Sequence, residues 1–123
     1  MGKELLAVFV GGGLGSLFRY FISKSLGPWS GQWPLGTFIA NLIACLIFGM
    51  IAGFMIVKSP SESIWKLFIT TGFCGGLSTF STFNAEIYNY LKSGLYLMAA
   101  SYILISIVVC LVAFVAATFI FSK

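Results

Sequence analysis

Histidine and aspartate are absent from this sequence, and its only acids are Glu4, Glu62 and Glu86. Without them, paired acid–base groups, a Ser-His-Asp arrangement and His/Cys zinc sites lack their bases and ligands. The chain does not read as an enzyme. Charge of either sign is scarce, at 8% of residues against 59% hydrophobic. A soluble domain of 123 residues has too little interior for that much apolar surface. The composition is that of an integral membrane protein, all-α, with room for one domain.

Cysteine is also sparse. Cys45, Cys74 and Cys110 are odd in number and each lies in an apolar run. They read as buried thiols packing like small hydrophobes, because no neighbour in sequence activates them. The net charge of +4 comes from lysines scattered at segment ends. Snorkelling anchors explain that pattern better than a nucleic-acid surface does. MGKELLAVFV lacks a following small-residue cleavage site, so it does not read as a signal peptide, and Leu6 argues against myristoylation.

Crossing the hydrocarbon takes about 20 apolar residues in a helix. Four segments qualify, at about 5–24, 35–57, 64–90 and 95–121. The first joint, LGPWSGQWP, combines turn residues with Trp29 and Trp33 as interfacial anchors. The second is the polar KSPSE with Pro60, where Ser61 or Ser63 is placed to cap the next helix. The third ends at Gly94. Four spans put both termini on one side with Lys3, Lys58, Lys66 and Lys123, against Lys24, Lys92 and Arg19 opposite. So small a bias permits one orientation set by a narrow margin, or insertion both ways with antiparallel pairing. Gly11 and Gly15 form a GxxxG pattern, repeated beside it by Gly12 and Ser16, and predict close helix packing.

Two segments carry polar stripes. Thr37, Asn41 and Cys45 stand at i, i+4, i+8, and Tyr102, Ser106 and Cys110 repeat that spacing. Each set shares one helix face. Interhelical hydrogen bonds, worth only about 0.6 kcal/mol each on average, are one explanation. The walls of a narrow aqueous path are the other. Between these stripes in the chain lies GFCGGLSTFSTF, 72–83, near the middle of the third segment. Gly75 and Gly76 each cost about 1 kcal/mol in a helix interior relative to alanine. A packing notch explains them, and so does a helix broken in mid-membrane, where freed backbone groups need protein, water or an ion. Phe80 and Phe83 share a face beside Ser81 and Thr82. They read as core, or as rings bordering the path, where positive ring edges would attract an anion without trapping it.

These residues resemble the Fluc (CrcB) fluoride channels. GGGLGSLFRY (11–20), PLGTFIAN (34–41) and GFCGGLSTFSTF are similar to the signatures of that family's first three helices, with Ser78 where threonine is common. The resemblance implies a multi-pass protein of the bacterial inner membrane, an antiparallel dual-topology homodimer with two fluoride pores. It implies that Phe80 and Phe83 meet fluoride with their ring edges. Asn41 is then the pore asparagine, with Ser81, Thr82 and Thr37 as hydroxyls near the ion and Tyr102 and Ser106 as a fourth-helix polar track. A structural sodium ion, held by the carbonyls of Gly75 and Ser78, is implied at the broken helix, with no organic cofactor. Arg19 is implied to be a vestibule or structure-locking cation. Glu86 reads as a snorkelling side chain or a pore-mouth group. The expected activity is passive fluoride export that protects the cytoplasm.

Two other classes stay open. A proton-coupled small multidrug transporter needs an embedded carboxylate in its first helix, where only Glu4 stands, at the end. A non-conducting assembly subunit explains the glycines but not the convergence of Asn41, hydroxyls and phenylalanines.

Overall fold

The computed structural model describes residues 1–58 and 63–123. Pro60 and the alternative cap Ser61 lie outside the described residues. The remaining cap, Ser63, accepts the Lys66 N–H at 3.2 Å and opens the following helix.

Helix α1 spans Gly2–Leu26 and α2 spans Leu35–Val57, joined by a short 3-10 turn at Gly27–Trp29. Helix α3 covers 64–77 in three pieces: Ile64–Leu67, a widened π-helical stretch Phe68–Cys74, and Gly75–Leu77. Ser78 and Thr79 are extended, and α4 begins anew at Phe80–Lys92. Helix α5 spans Tyr96–Phe121. At the α4–α5 joint Gly94 takes φ +75°, and the Leu95 N–H reaches back to the Tyr90 carbonyl. A side chain is disfavoured in that left-handed turn, so glycine ends the helix there. Among the described residues, three helical stretches, Gly2–Trp29, Leu35–Val57 and Tyr96–Phe121, are long and apolar enough to cross a membrane. Their outer faces present large apolar side chains such as Phe9, Leu97 and Phe119, and much of the buried interior is alanine and glycine, with Leu77, Phe83, Tyr90 and Tyr102 as its large members. That inversion of the soluble pattern suits a membrane protein.

Small residues decide which helices touch. A Cβ on Gly11 or Gly15 of α1 would collide with the backbone of Phe68 or Phe73, and one on Gly76 would strike the Gly12 carbonyl. The matched stripes Gly11–Gly15 and Gly72–Gly76 therefore bring α1 and α3 together in parallel. Gly49 and Gly53 do the same for α2 and α5, where an added Cβ would lie 2.5 Å from the carbonyls of Phe114 and Thr118. Gly12 and Ser16 contribute backbone rather than a second notch, since their atoms are what Gly76 approaches.

The two glycines of the third segment thus separate in role. Gly76 is the packing notch, whereas a Cβ on Gly75 would meet nothing closer than the Thr70 carbonyl at 4.0 Å. Neither forms the interruption itself, which falls two residues later. Gly76→Ala is expected to push α1 from α3 and lower thermal stability in detergent. Gly75→Ala is expected to leave the fold of the chain intact. Equal melting of the two variants would remove the distinction.

Candidate functional site

Where α3 stops, four carbonyls lose the donors that a continuing helix would supply. The Thr79 N–H, which would have bonded Gly75, donates instead to Asn41 Oδ1 at 2.7 Å, and Asn41 Nδ2 donates back to the Thr79 carbonyl at 3.3 Å. One amide side chain thereby satisfies both backbone groups of one extended residue. The Gly76 carbonyl accepts from Arg19 Nε at 3.0 Å. Arg19 is therefore a tie between α1 and the end of α3. Thr79 also caps α4, accepting the Thr82 N–H at 3.2 Å, so that donor is lost to the Ser78 carbonyl. The Ser78 hydroxyl turns back to the Cys74 carbonyl at 2.8 Å, and Ser81 shares a hydroxyl contact with Thr79 at 3.3 Å.

The parallel register set by Gly49–Phe114 and Gly53–Thr118 has a consequence one helical turn at a time. Continued toward the helix starts, the offset of 65 residues (114 minus 49) places Cys45 against Cys110, Asn41 against Ser106 and Thr37 against Tyr102. The two polar stripes face each other rung by rung. At the first rung Thr37 Oγ1 donates to Glu86 Oε1 at 2.5 Å and the Tyr102 hydroxyl to Oε2 at 2.6 Å. Tyr102 is wholly buried, with Trp33 edge-on at 5.2 Å and Phe83 tilted at 5.0 Å between ring centroids. Trp33 is thus more than an interfacial anchor, since its ring closes over the tyrosine. Trp29 stays exposed.

The second and third rungs line a cavity of ≈ 270 Å³ together with Phe80 and Phe83. Asn41, Ser106, Cys45 and Cys110 all face it. Ser106 is 6% exposed, and its hydroxyl has no hydrogen-bond partner among the described residues. A buried hydroxyl without a partner keeps the capacity to donate or accept a hydrogen bond. Phe83 is buried, whereas Phe80 is 75% exposed on the chain's surface, its ring 6.0 Å from that of Phe83. Cys45 and Ser78 also border the adjoining cavity of ≈ 390 Å³. Glu86 lines a third, of ≈ 400 Å³, beyond the Trp33–Tyr102 contact. Thr82 is half-buried on α4, and Ser81 is exposed.

Two contributors escape the sequence reading. Thr79 is the clamped residue, and its position just before a helix of polar first turn was the available signal. The Gly72–Gly76 and Gly49–Gly53 repeats were visible, but their mates were not.

Residues 6–118 match the family model described as CrcB-like protein, Camphor Resistance (CrcB). Curated relatives include Fluoride-specific ion channel FluC 1 of Yersinia pestis, 44% identical over 107 residues, covering 87% of this chain and 84% of the relative. FluC of Serratia proteamaculans is 42% identical over 118 residues, with 93% of each chain covered. FluC of Pyrococcus abyssi is 47% identical over 97 residues, covering 79% and 78% respectively. With nearly its whole length matched by the family model and by relatives of similar size, the chain belongs to the CrcB family.

Proposed function

We propose that this protein is a fluoride-selective channel, passing the anion down its electrochemical gradient. The observation that carries this reading is the cavity at the α2–α5 seam, where the unpartnered Ser106 hydroxyl and the Asn41 amide stand opposite Phe80 and Phe83. Dehydrating a bare halide costs tens of kcal/mol by Born estimates. Hydroxyl donors and positive ring edges replace hydration without a full positive charge that would hold the ion. Thr37 and Tyr102 lie one turn from this cavity with both hydroxyls donated to Glu86, Ser81 and Thr82 sit nearby on α4, and Glu86 lines the cavity beyond. The names of the relatives point to the same ion.

An antiparallel homodimer with two pores accounts for Phe80. That residue is three-quarters exposed in a single chain, and a second copy would bring it into a pore wall. The near-balanced lysine distribution supports insertion in both orientations. A structural sodium ion suits the interruption. The carbonyls of Gly75 and Ser78 are the two whose helical donors are diverted, to Asn41 and Thr79, and Gly75 is exposed. Bound there, the cation would neutralise freed backbone oxygens and hold the break open. The setting is the bacterial inner membrane, where fluoride that enters as the neutral acid ionises inside and leaves through the channel. The multidrug-transporter reading has little to stand on. Glu4 is half-exposed in the first turn of α1, and the embedded carboxyl, Glu86, is already held by two hydroxyls.

The test is efflux from liposomes loaded with fluoride and followed with a fluoride electrode. Purified protein is expected to release fluoride once valinomycin balances charge, and to leave chloride behind. Equal release of both ions, or release that demands a proton gradient, would overturn the assignment.

A further inference from the structure

The third rung of the ladder has no role in the fluoride reading, yet it carries chemistry of its own. Cys45 and Cys110 come from different helices and stand at matching positions of the α2–α5 register, on the wall of one cavity. Both are free and half-buried, and both line the cavity that holds the unpartnered Ser106 hydroxyl one turn away. Cys74 differs. It is 3% exposed and packed with Ala40, Ala44 and Leu77. Among the described residues no group of three or more His, Cys, Asp or Glu side chains could hold a metal ion, so the pair is short of the four ligands that a structural zinc takes. Soft cations with a filled d shell, such as copper(I), silver(I) and mercury(II), favour sulfur and are satisfied by two sulfurs on opposite sides.

We propose that Cys45 and Cys110 form a two-coordinate thiolate site for a soft, thiophilic cation in the wall of the pathway. Binding replaces two S–H bonds by two metal–sulfur bonds and releases both protons. With mercuric chloride, the two protons leave with the two chlorides as hydrochloric acid, and no oxidant or reductant is involved. Mercuric chloride stays largely undissociated in chloride solution, so it enters apolar surroundings as a neutral molecule. Rigid helices hold the sulfurs in place: the glycine contacts at Gly49 and Gly53 lock α2 to α5 just beyond the rung. Two sulfurs placed in advance hold the metal against a competing monothiol, which a single cysteine does not. A cation seated there narrows the cavity beside Asn41 and Ser106.

The experiment has a retention arm and a flux arm, and only the flux arm rests on the channel reading. Full-length protein treated with equimolar mercuric chloride is challenged with glutathione, passed through gel filtration and weighed by native mass spectrometry. One mercury per chain, with two protons lost, is expected for the wild type and for Cys74→Ala. Cys45→Ser and Cys110→Ser are expected to surrender the metal. In liposomes the same treatment should remove most fluoride efflux from the wild type and dithiothreitol should restore it. Each serine variant should keep its own untreated rate, whatever that rate is. Loss of mercury from the wild type to glutathione, or equal retention by Cys45→Ser, overturns the site. Retention through both thiols in protein that never conducts fluoride upholds the site and overturns the channel reading instead. Elution profiles before treatment identify any variant that fails to fold, and silver nitrate on the wild type then gives a second measure of paired thiols.

Discussion

Asn41→Leu is expected to reduce fluoride efflux to the leak of empty liposomes and to destabilise the chain as well. The leucine fills much of the same space, but it leaves the Thr79 N–H and carbonyl without their shared partner. Two unsatisfied backbone groups cost at most roughly 2–6 kcal/mol together, at 1–3 each, and less to the extent that water enters the cavity beside the half-buried Thr79. The extended residues would then relax toward continuous helix, giving the Gly75 carbonyl its usual donor and closing the cavity between α4 and the α2–α5 seam. Asn41→Asp separates the contributions. An aspartate still accepts the Thr79 N–H but no longer donates to the carbonyl, so flux between wild type and Asn41→Leu is expected. Efflux and thermal stability in detergent are both to be measured. Wild-type flux in Asn41→Leu would mean that the clamp is dispensable and that the amide has no part in conduction.

Phe80→Ile and Phe83→Ile should each abolish most of the flux, for different reasons in the fold. Phe83 is 7% exposed and rests on Tyr102, so isoleucine leaves a void beside a buried ring. The stability cost is roughly 1–2 kcal/mol, part of that of phenylalanine to alanine. It comes from lost packing more than from transfer, because the unfolded reference is also apolar in a membrane. Phe80 has little packing within the chain to lose. Its substitution is expected to leave single-chain stability alone and yet to stop conduction, since the ring edge goes with it. That split, flux lost with melting unchanged, is the strongest discriminator between a pore wall and a packing role. Unaltered efflux in Phe80→Ile would remove the phenylalanines from the pathway. Melting lowered as much as in Phe83→Ile would instead place Phe80 in a stabilising contact.

The sequence by itself carried the helical membrane class, because 59% hydrophobic residues in 123 leave no other way to hide apolar surface. It placed the second helix at 35–57, where Leu35–Val57 is found, since apolar runs bounded by turn residues are local signals. It also marked each polar stripe, because a spacing of four residues is a property of one helix. What it left undecided were pairings across helices. That Thr37 and Tyr102 converge on Glu86, and that Cys45 meets Cys110, depends on the parallel register of α2 and α5, fixed by backbone contacts at Gly49 and Gly53. That the chain breaks at Ser78–Thr79 rather than at Gly75–Gly76 depends on Asn41, 38 residues away from Thr79, which offers the backbone an alternative to its own helix. Local hydrophobicity and spacing decide where helices form. Which orphaned backbone group meets which side chain is set by how closely the helices approach, and that is decided only when they pack.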